Sequence, residues 1–161
     1  MERHFRSILI VLGLLLLQTT FIPLLSLGGM VPDLLLVWVV YTALRRGQVE
    51  TTIAGFLVGL LQDLVSTQLF GLAALSKTVA GFLAGYFYNE NKTDQTLGTY
   101  RFLLVVGLCS LAHNGIYFLI FLQGTDVSLI LTTMQFSLAT TAYTTAVSAL
   151  PMFAFSRRLA T

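Results

Sequence analysis

Asp33, Asp63, Lys77, His113 and Asn114 stand within or at the edges of long apolar runs, where ionisable and amide side chains are rare and costly. Groups of these types in such surroundings can neutralise one another, bind a ligand or pass a proton, or act as catalytic acid and base. The spacings argue against catalysis. An aspartate-based intramembrane protease needs two paired membrane aspartates, yet Asp33 and Asp63 each fall near the end of an apolar run. A serine-based one needs a positioned Ser–His pair, and His113 has no supporting motif. The only histidines are His4 and His113, with no His-Glu-x-x-His and no Cys/His cluster, and no phosphate loop or glycine-rich dinucleotide turn occurs. A non-enzymatic protein without metal or cofactor is the expectation.

The same residues carry a structural pattern. Gly55, Gly59 and Asp63 recur every four residues on one helical face, and Lys77, Gly81 and Gly85 do so on the next. With a reversal near Phe70, Asp63 matches Lys77 in depth, Gly59 matches Gly81 and Gly55 matches Gly85. Glycines on such faces allow close backbone approach. Asp63 and Lys77 could then neutralise each other; alternatively Lys77 snorkels outward while Asp63 faces interfacial water. Asp33 follows Pro32 where a helix should start, a position that suits both a proline and a carboxylate. Gln18 and Thr19 fit hydrogen bonding across helices, as do His113 and Asn114, which point roughly 100° apart and need not share a partner. Thr133, Ser137, Thr140, Thr144 and Ser148 form a small polar stripe that reads as a packing seam, within the bundle or against another protein's helix.

The elements that must hold these residues follow from composition. Of 161 residues, 56% are hydrophobic and 10% charged, and the mean hydropathy is +0.84, far from a soluble domain. Apolar runs at about 6–27, 32–45, 51–66, 71–88, 101–122 and 128–155 predict an all-α bundle of six transmembrane helices forming a single domain, 1–161. The second and third runs are short for a span, but charge supports them. Alternating from a cytoplasmic N-terminus, Arg3, Arg6, Arg45, Arg46, Lys92, Arg101, Arg157 and Arg158 collect on one side. The opposite connections (28–31, 67–70, 123–127) hold no lysine or arginine, and Asp126 is their main charge. This places both termini in the cytoplasm. The first run is longer than a signal-peptide core and is followed only by the weak cleavage match Ser26-Leu27-Gly28, so it reads as a retained anchor. The net charge of +2 does not suggest nucleic acid, and the single Cys109 excludes a disulfide framework.

Several motifs in order carry a family likeness. Gln18-Thr19 on the first helix is followed by Pro32-Asp33-Leu34-Leu35-Leu36, then Arg46-Gly47. Next come Gly55-Phe56-Leu57-Val58-Gly59-Leu60-Leu61-Gln62-Asp63-Leu64, Gly71-Leu72, and Lys77-Thr78-Val79-Ala80-Gly81-Phe82-Leu83-Ala84-Gly85. The chain resembles the rod shape-determining protein MreD family along its whole length, most sharply over 32–85. The resemblance implies a non-enzymatic scaffold of the bacterial inner membrane within the cell-elongation (Rod) complex. Its expected partners are MreC, the MreB filament and the peptidoglycan polymerase–transpeptidase pair, with the lipid bilayer around it. The small-residue faces of the first and sixth spans are the expected docking seams. The architecture is also similar to substrate-binding subunits of energy-coupling-factor vitamin transporters, which supplies the rival function. Against that rival, residues 6–27 contain no alanine for the Ala-x-x-x-Ala docking pattern, and the outer connections are very short. Should a ligand pocket exist, it belongs near Gln18, Asp33, Asp63 and Lys77.

Overall fold

A computed structural model describes residues 2–26, 29–66, 69–124 and 128–159, without the side chains of 2–4, 158 and 159. Leu27, Gly28 and Asp126, and the side chains of Arg3, His4 and Arg158, therefore lie outside the described residues. All regular structure among the described residues is helical: α1 (Glu2–Thr20), a 3-10 turn (Ile22–Leu25), α2 (Leu34–Arg46), α3 (Gln48–Val65), α4 (Leu72–Gly85), α5 (Thr93–Leu97), α6 (Tyr100–Phe121) and α7 (Leu129–Leu159). The short α5 sits in the polar connection after α4 and had no counterpart in the apolar pattern. Pro23 lies inside the 3-10 turn that follows α1, where its missing N–H costs no α-helical bond.

α2 is the central helix. Leu35, Leu36, Val39, Val40, Ala43 and Leu44 are all fully buried, as a helix apolar all round must be. One side of it packs with Ala80 and Ala84 of α4, Leu97 of α5, and Phe102, Val105, Val106 and Cys109 of α6. Its other side meets Val11 and Leu15 of α1 and Val58 of α3. The exterior is also apolar: Phe5, Leu16, Leu24, Ile130, Leu150 and Phe153 are among many large exposed hydrophobic side chains. A water-soluble surface does not carry apolar area on this scale. α6 and α7 are long and apolar enough to cross a membrane, while α1 and α4 offer shorter apolar stretches.

α3 and α4 form an antiparallel hairpin with the most extensive helix–helix contact in the molecule. Glycines make it possible, but in a different register from the one expected. A Cβ on Gly55 would come 2.6 Å from the Lys77 carbonyl oxygen, and one on Gly81 would come 2.8 Å from that of Thr51. Gly59 lies still closer to Ala73 and Ala74, and Gly85 to Gln48. None of Gly55, Gly59, Gly81 and Gly85 faces another of the four, so the matches Gly59–Gly81 and Gly55–Gly85 are corrected: each partner lies about two turns from the expected one. The reversal lies between the end of α3 at Val65 and the start of α4 at Leu72, a stretch that includes Phe70, and Gly71 there has a φ of 91°, a left-handed turn conformation.

The basic end of the bundle is cross-linked. Arg46 bonds Glu50 at 2.8 Å and the Ser7 hydroxyl at 2.6 Å, joining α1, α2 and α3. Arg45 bonds Asp94 of α5 at 3.0 Å and lies over the rings of Tyr41 and Phe155.

The hairpin geometry makes a contrast testable. Gly59→Ala should destabilise the protein by about 1–3 kcal/mol through overpacking against backbone. Gly13→Ala in α1, where nothing lies within 4 Å, should be neutral or slightly stabilising. Thermal unfolding of both variants in mild detergent measures the difference.

Candidate functional site

A helix that begins inside a bundle has N–H groups with no intrahelical acceptor. α2 solves this with two side chains. Asp33 Oδ1 accepts from the Leu36 N–H at 2.9 Å, the ordinary cap bond. Gln18 reaches from α1, and its Oε1 accepts from the N–H groups of Leu34 at 2.9 Å and Leu35 at 3.2 Å. The Gln18 amide then donates to Asp33 Oδ1 at 3.3 Å. Thr19, by contrast, bonds back into its own helix among the described residues, to the Leu15 and Leu16 carbonyls.

The second carboxylate oxygen of Asp33 receives Lys77 Nζ at 2.5 Å, and His113 Nε2 lies 3.4 Å from the same oxygen. The Asp33 N–H donates to the Thr144 hydroxyl at 3.1 Å. One residue thus ties together α1, α2, α4, α6 and α7. Lys77 is completely buried and Asp33 nearly so. Removing two charges from water is costly, and the mutual attraction of a well-placed pair offsets that cost only when the remaining lone pairs are also bonded. Here both oxygens of Asp33 are.

Asp63 does something else. It lies in the last turns of α3, 5% exposed, and accepts from the N–H groups of Gly71, Ala73 and Ala74 at 3.0, 3.1 and 3.0 Å. It caps α4 from the preceding helix. The Asp63–Lys77 pair is therefore corrected, and so are the alternatives of a snorkelling Lys77 and a water-facing Asp63. The cap holds Asp63 level with the first turn of α4, whereas Lys77 lies a further turn along, where Asp33 is within reach.

Asn114 donates to Ser110 at 3.1 Å and to Thr141 of α7 at 3.1 Å, apart from the His113 contact. The stripe Thr133, Ser137, Thr140, Thr144 and Ser148 is buried inside the bundle. This corrects its alternative role as a seam against another protein's helix: the stripe is packed inside the bundle, with Thr144 accepting from the Asp33 N–H.

Beside this network, at the end of the bundle away from Arg45 and Arg46, opens a polar cavity of about 360 Å³. Gln18, Asp33, His113 and Asn114 line part of it, with neither Asp63 nor Lys77 in its wall. The rest includes Gln62, Ser66, Thr140 and an aromatic set, Tyr117, Phe118, Phe121 and Phe136. Tyr117 stacks between His113 and Phe121, and Phe118 meets Phe136. Gln62 Oε1 and Thr140 Oγ1 have no hydrogen-bond partner among the described residues, a condition worth about 1–3 kcal/mol apiece when buried. Sequence reading did not single out Gln62 or the aromatic wall. The available signals were an amide beside Asp63 in an apolar run, and aromatics at 117 and 121, one helical turn apart.

A second hollow, an apolar groove of about 610 Å³, runs between α1 and α3 along Ile8, Leu12, Ala54, Leu57 and Leu61. Among the described residues no group of three or more His, Cys, Asp or Glu could hold a metal ion.

The family model described as rod shape-determining protein MreD matches residues 3–159. No curated protein and no solved structure gives a match.

The ion-pair geometry predicts an order of stabilities. Lys77→Met alone should cost about 3–5 kcal/mol by leaving the Asp33 carboxylate buried and unpaired. The double variant Asp33→Asn/Lys77→Met should recover a substantial part of that loss. The charge exchange Asp63→Lys/Lys77→Asp should recover none. Membrane accumulation and thermal unfolding in detergent read all three.

Proposed function

The chain belongs to the MreD family of rod shape-determining proteins, and on that premise we propose that it is a non-enzymatic scaffold of the bacterial cell-elongation complex. Its role is in rod shape determination. The finer reading is a multi-pass bundle of six spans in the cytoplasmic membrane, both termini inside, that binds MreC and supports lateral peptidoglycan synthesis. MreB filaments and the polymerase–transpeptidase pair are its further partners in that complex.

The observation that carries the reading is the family match over nearly the whole chain. Two physical features support it. The buried ionisable groups are engaged in holding helices together: Asp33 with Lys77 and His113, and Asp63 with the start of α4. α1 leans on the bundle through Val11, Leu15 and Gln18, leaving Phe5, Leu9, Leu12 and Leu16 exposed. A helix so lightly held offers an apolar face to another membrane helix, where packing rather than water exclusion drives association.

The test is co-purification of the tagged full chain in mild detergent. The scaffold reading expects an MreC-like protein with one membrane helix and a large periplasmic region, and depletion that turns rods into spheres. Recovery instead of an ATPase–transmembrane coupling module, or of a bound vitamin, would establish the transporter subunit. Leu9→Trp with Leu16→Trp should reduce partner recovery by about tenfold, equivalent to about 1.4 kcal/mol, without lowering the unfolding temperature. Undiminished recovery would remove α1 as the docking helix.

A further inference from the structure

The polar cavity has a chemical bias that scaffolding does not require. Its wall contains Asp33 but neither Lys77 nor any other lysine or arginine. The buried ion pair is neutral as a whole, yet its carboxylate is at the wall while its ammonium is fully buried behind it. The negative end of the pair therefore faces the cavity. Asp33 itself is saturated by Leu36, Gln18, Lys77 and His113, so an arriving group need not displace Lys77.

Three side-chain atoms in the wall have no hydrogen-bond partner among the described residues: Thr140 Oγ1, Gln62 Oε1 and His113 Nδ1. Thr140 is 6% exposed, and its hydroxyl lacks a partner, as does the Gln62 carbonyl oxygen. Buried polar atoms are bonded in the great majority of cases, and the exceptions call for an occupant. Thr140 and Gln62 can each accept a hydrogen bond. The rings of Phe118 and Phe136, with Tyr117 between its stacked neighbours, complete the lining, and aromatic faces attract cations. Acceptors, π faces and a carboxylate without a free basic residue favour a donor that carries positive charge. The volume of about 360 Å³ fits a small molecule or a lipid headgroup.

We propose that this cavity is a binding site for a primary ammonium group on an apolar or lipid body, with Gln62 and Thr140 as its hydrogen-bond acceptors. The site is independent of whether the bundle acts as a scaffold. Two sources carry the same chemistry, a free hydrophobic amine and the ethanolamine headgroup of an aminophospholipid.

The experiment uses the full chain in phosphatidylcholine nanodiscs, titrated with phenethylammonium by calorimetry. Its neutral and anionic counterparts, 2-phenylethanol and phenylacetate, serve as controls. Saturable binding of the ammonium at least about tenfold tighter than either control is expected. Gln62→Leu/Thr140→Val should weaken it by about tenfold, and Gln62→Glu should tighten it, a change of opposite sign that general damage to the fold would not produce. Thr140→Val alone, close in shape to the native residue, guards against loss of folding in the double variant. Competition from nanodiscs containing phosphatidylethanolamine assigns the site to the lipid headgroup; undiminished probe binding there assigns it to free amines. Equal or tighter binding of either control, or unchanged ammonium binding in a folded Gln62→Leu/Thr140→Val variant, overturns the proposal.

Discussion

Everything else in the bundle depends on burying the Asp33 carboxylate without leaving it or its surroundings unsatisfied. Lys77 supplies the opposite charge, Gln18 and Leu36 fill the other oxygen, and His113 stands against the first. A charge with one missing partner in so apolar an interior would cost more than any single packing contact contributes. The helices that bear those partners are therefore constrained together. α1, α4 and α6 reach the carboxylate through side chains, and α7 reaches the adjoining N–H through Thr144. Where hydrophobic contacts are permissive about register, this cluster is not, since sliding any one of those helices by a turn strands its polar group.

α3 enters the same design by another route. Asp63 has no part in the ion pair; it terminates the hairpin by capping the first N–H groups of α4. The cap sets the depth at which α4 begins, and hence the depth of Lys77. Gly55 and Gly59 then let the backbones close to a distance that any Cβ would prevent. The glycine seam and the ion pair are coupled through this register: Gly55 touches the backbone of Lys77 itself, so the seam that holds the hairpin also aims the ammonium at Asp33.

This arrangement divides the molecule by role. The interior between α2, α4 and α6 below the network is apolar, filled by Leu36, Val40, Ala80, Ala84, Phe102 and Val106. Beside the network the packing opens into the polar cavity, closed off from the basic end by that core. The exterior is apolar around α1 and α7, with arginines gathered and paired at one end. The chain, a member of the rod shape-determining MreD family, thus combines a polar-locked interior with an apolar periphery.

Much of the fold was legible from the residues alone. Helical runs, the charges set within them, the hairpin of α3 and α4, and the helix-start role of Asp33 all follow from local rules: periodicity, the proline before Asp33, and the cost of charge in apolar surroundings. The polar cavity was legible only in its general place, near Gln18 and Asp33; its aromatic wall and Gln62 were not. The partners of the charges were decided by tertiary structure. Lys77 had two carboxylates available, and spacing pointed to Asp63 because both lie on one hairpin. The choice of Asp33, distant in sequence, turned on Asp63 being consumed by the N–H groups of α4. Likewise the α7 stripe showed a seam but not its direction, which its burial and the meeting of Thr144 with Asp33 settle. Which groups want a partner is a property of side chains in their local setting. Which partner each receives depends on helix depth and register, and those emerge only when all the helices satisfy their polar groups at once.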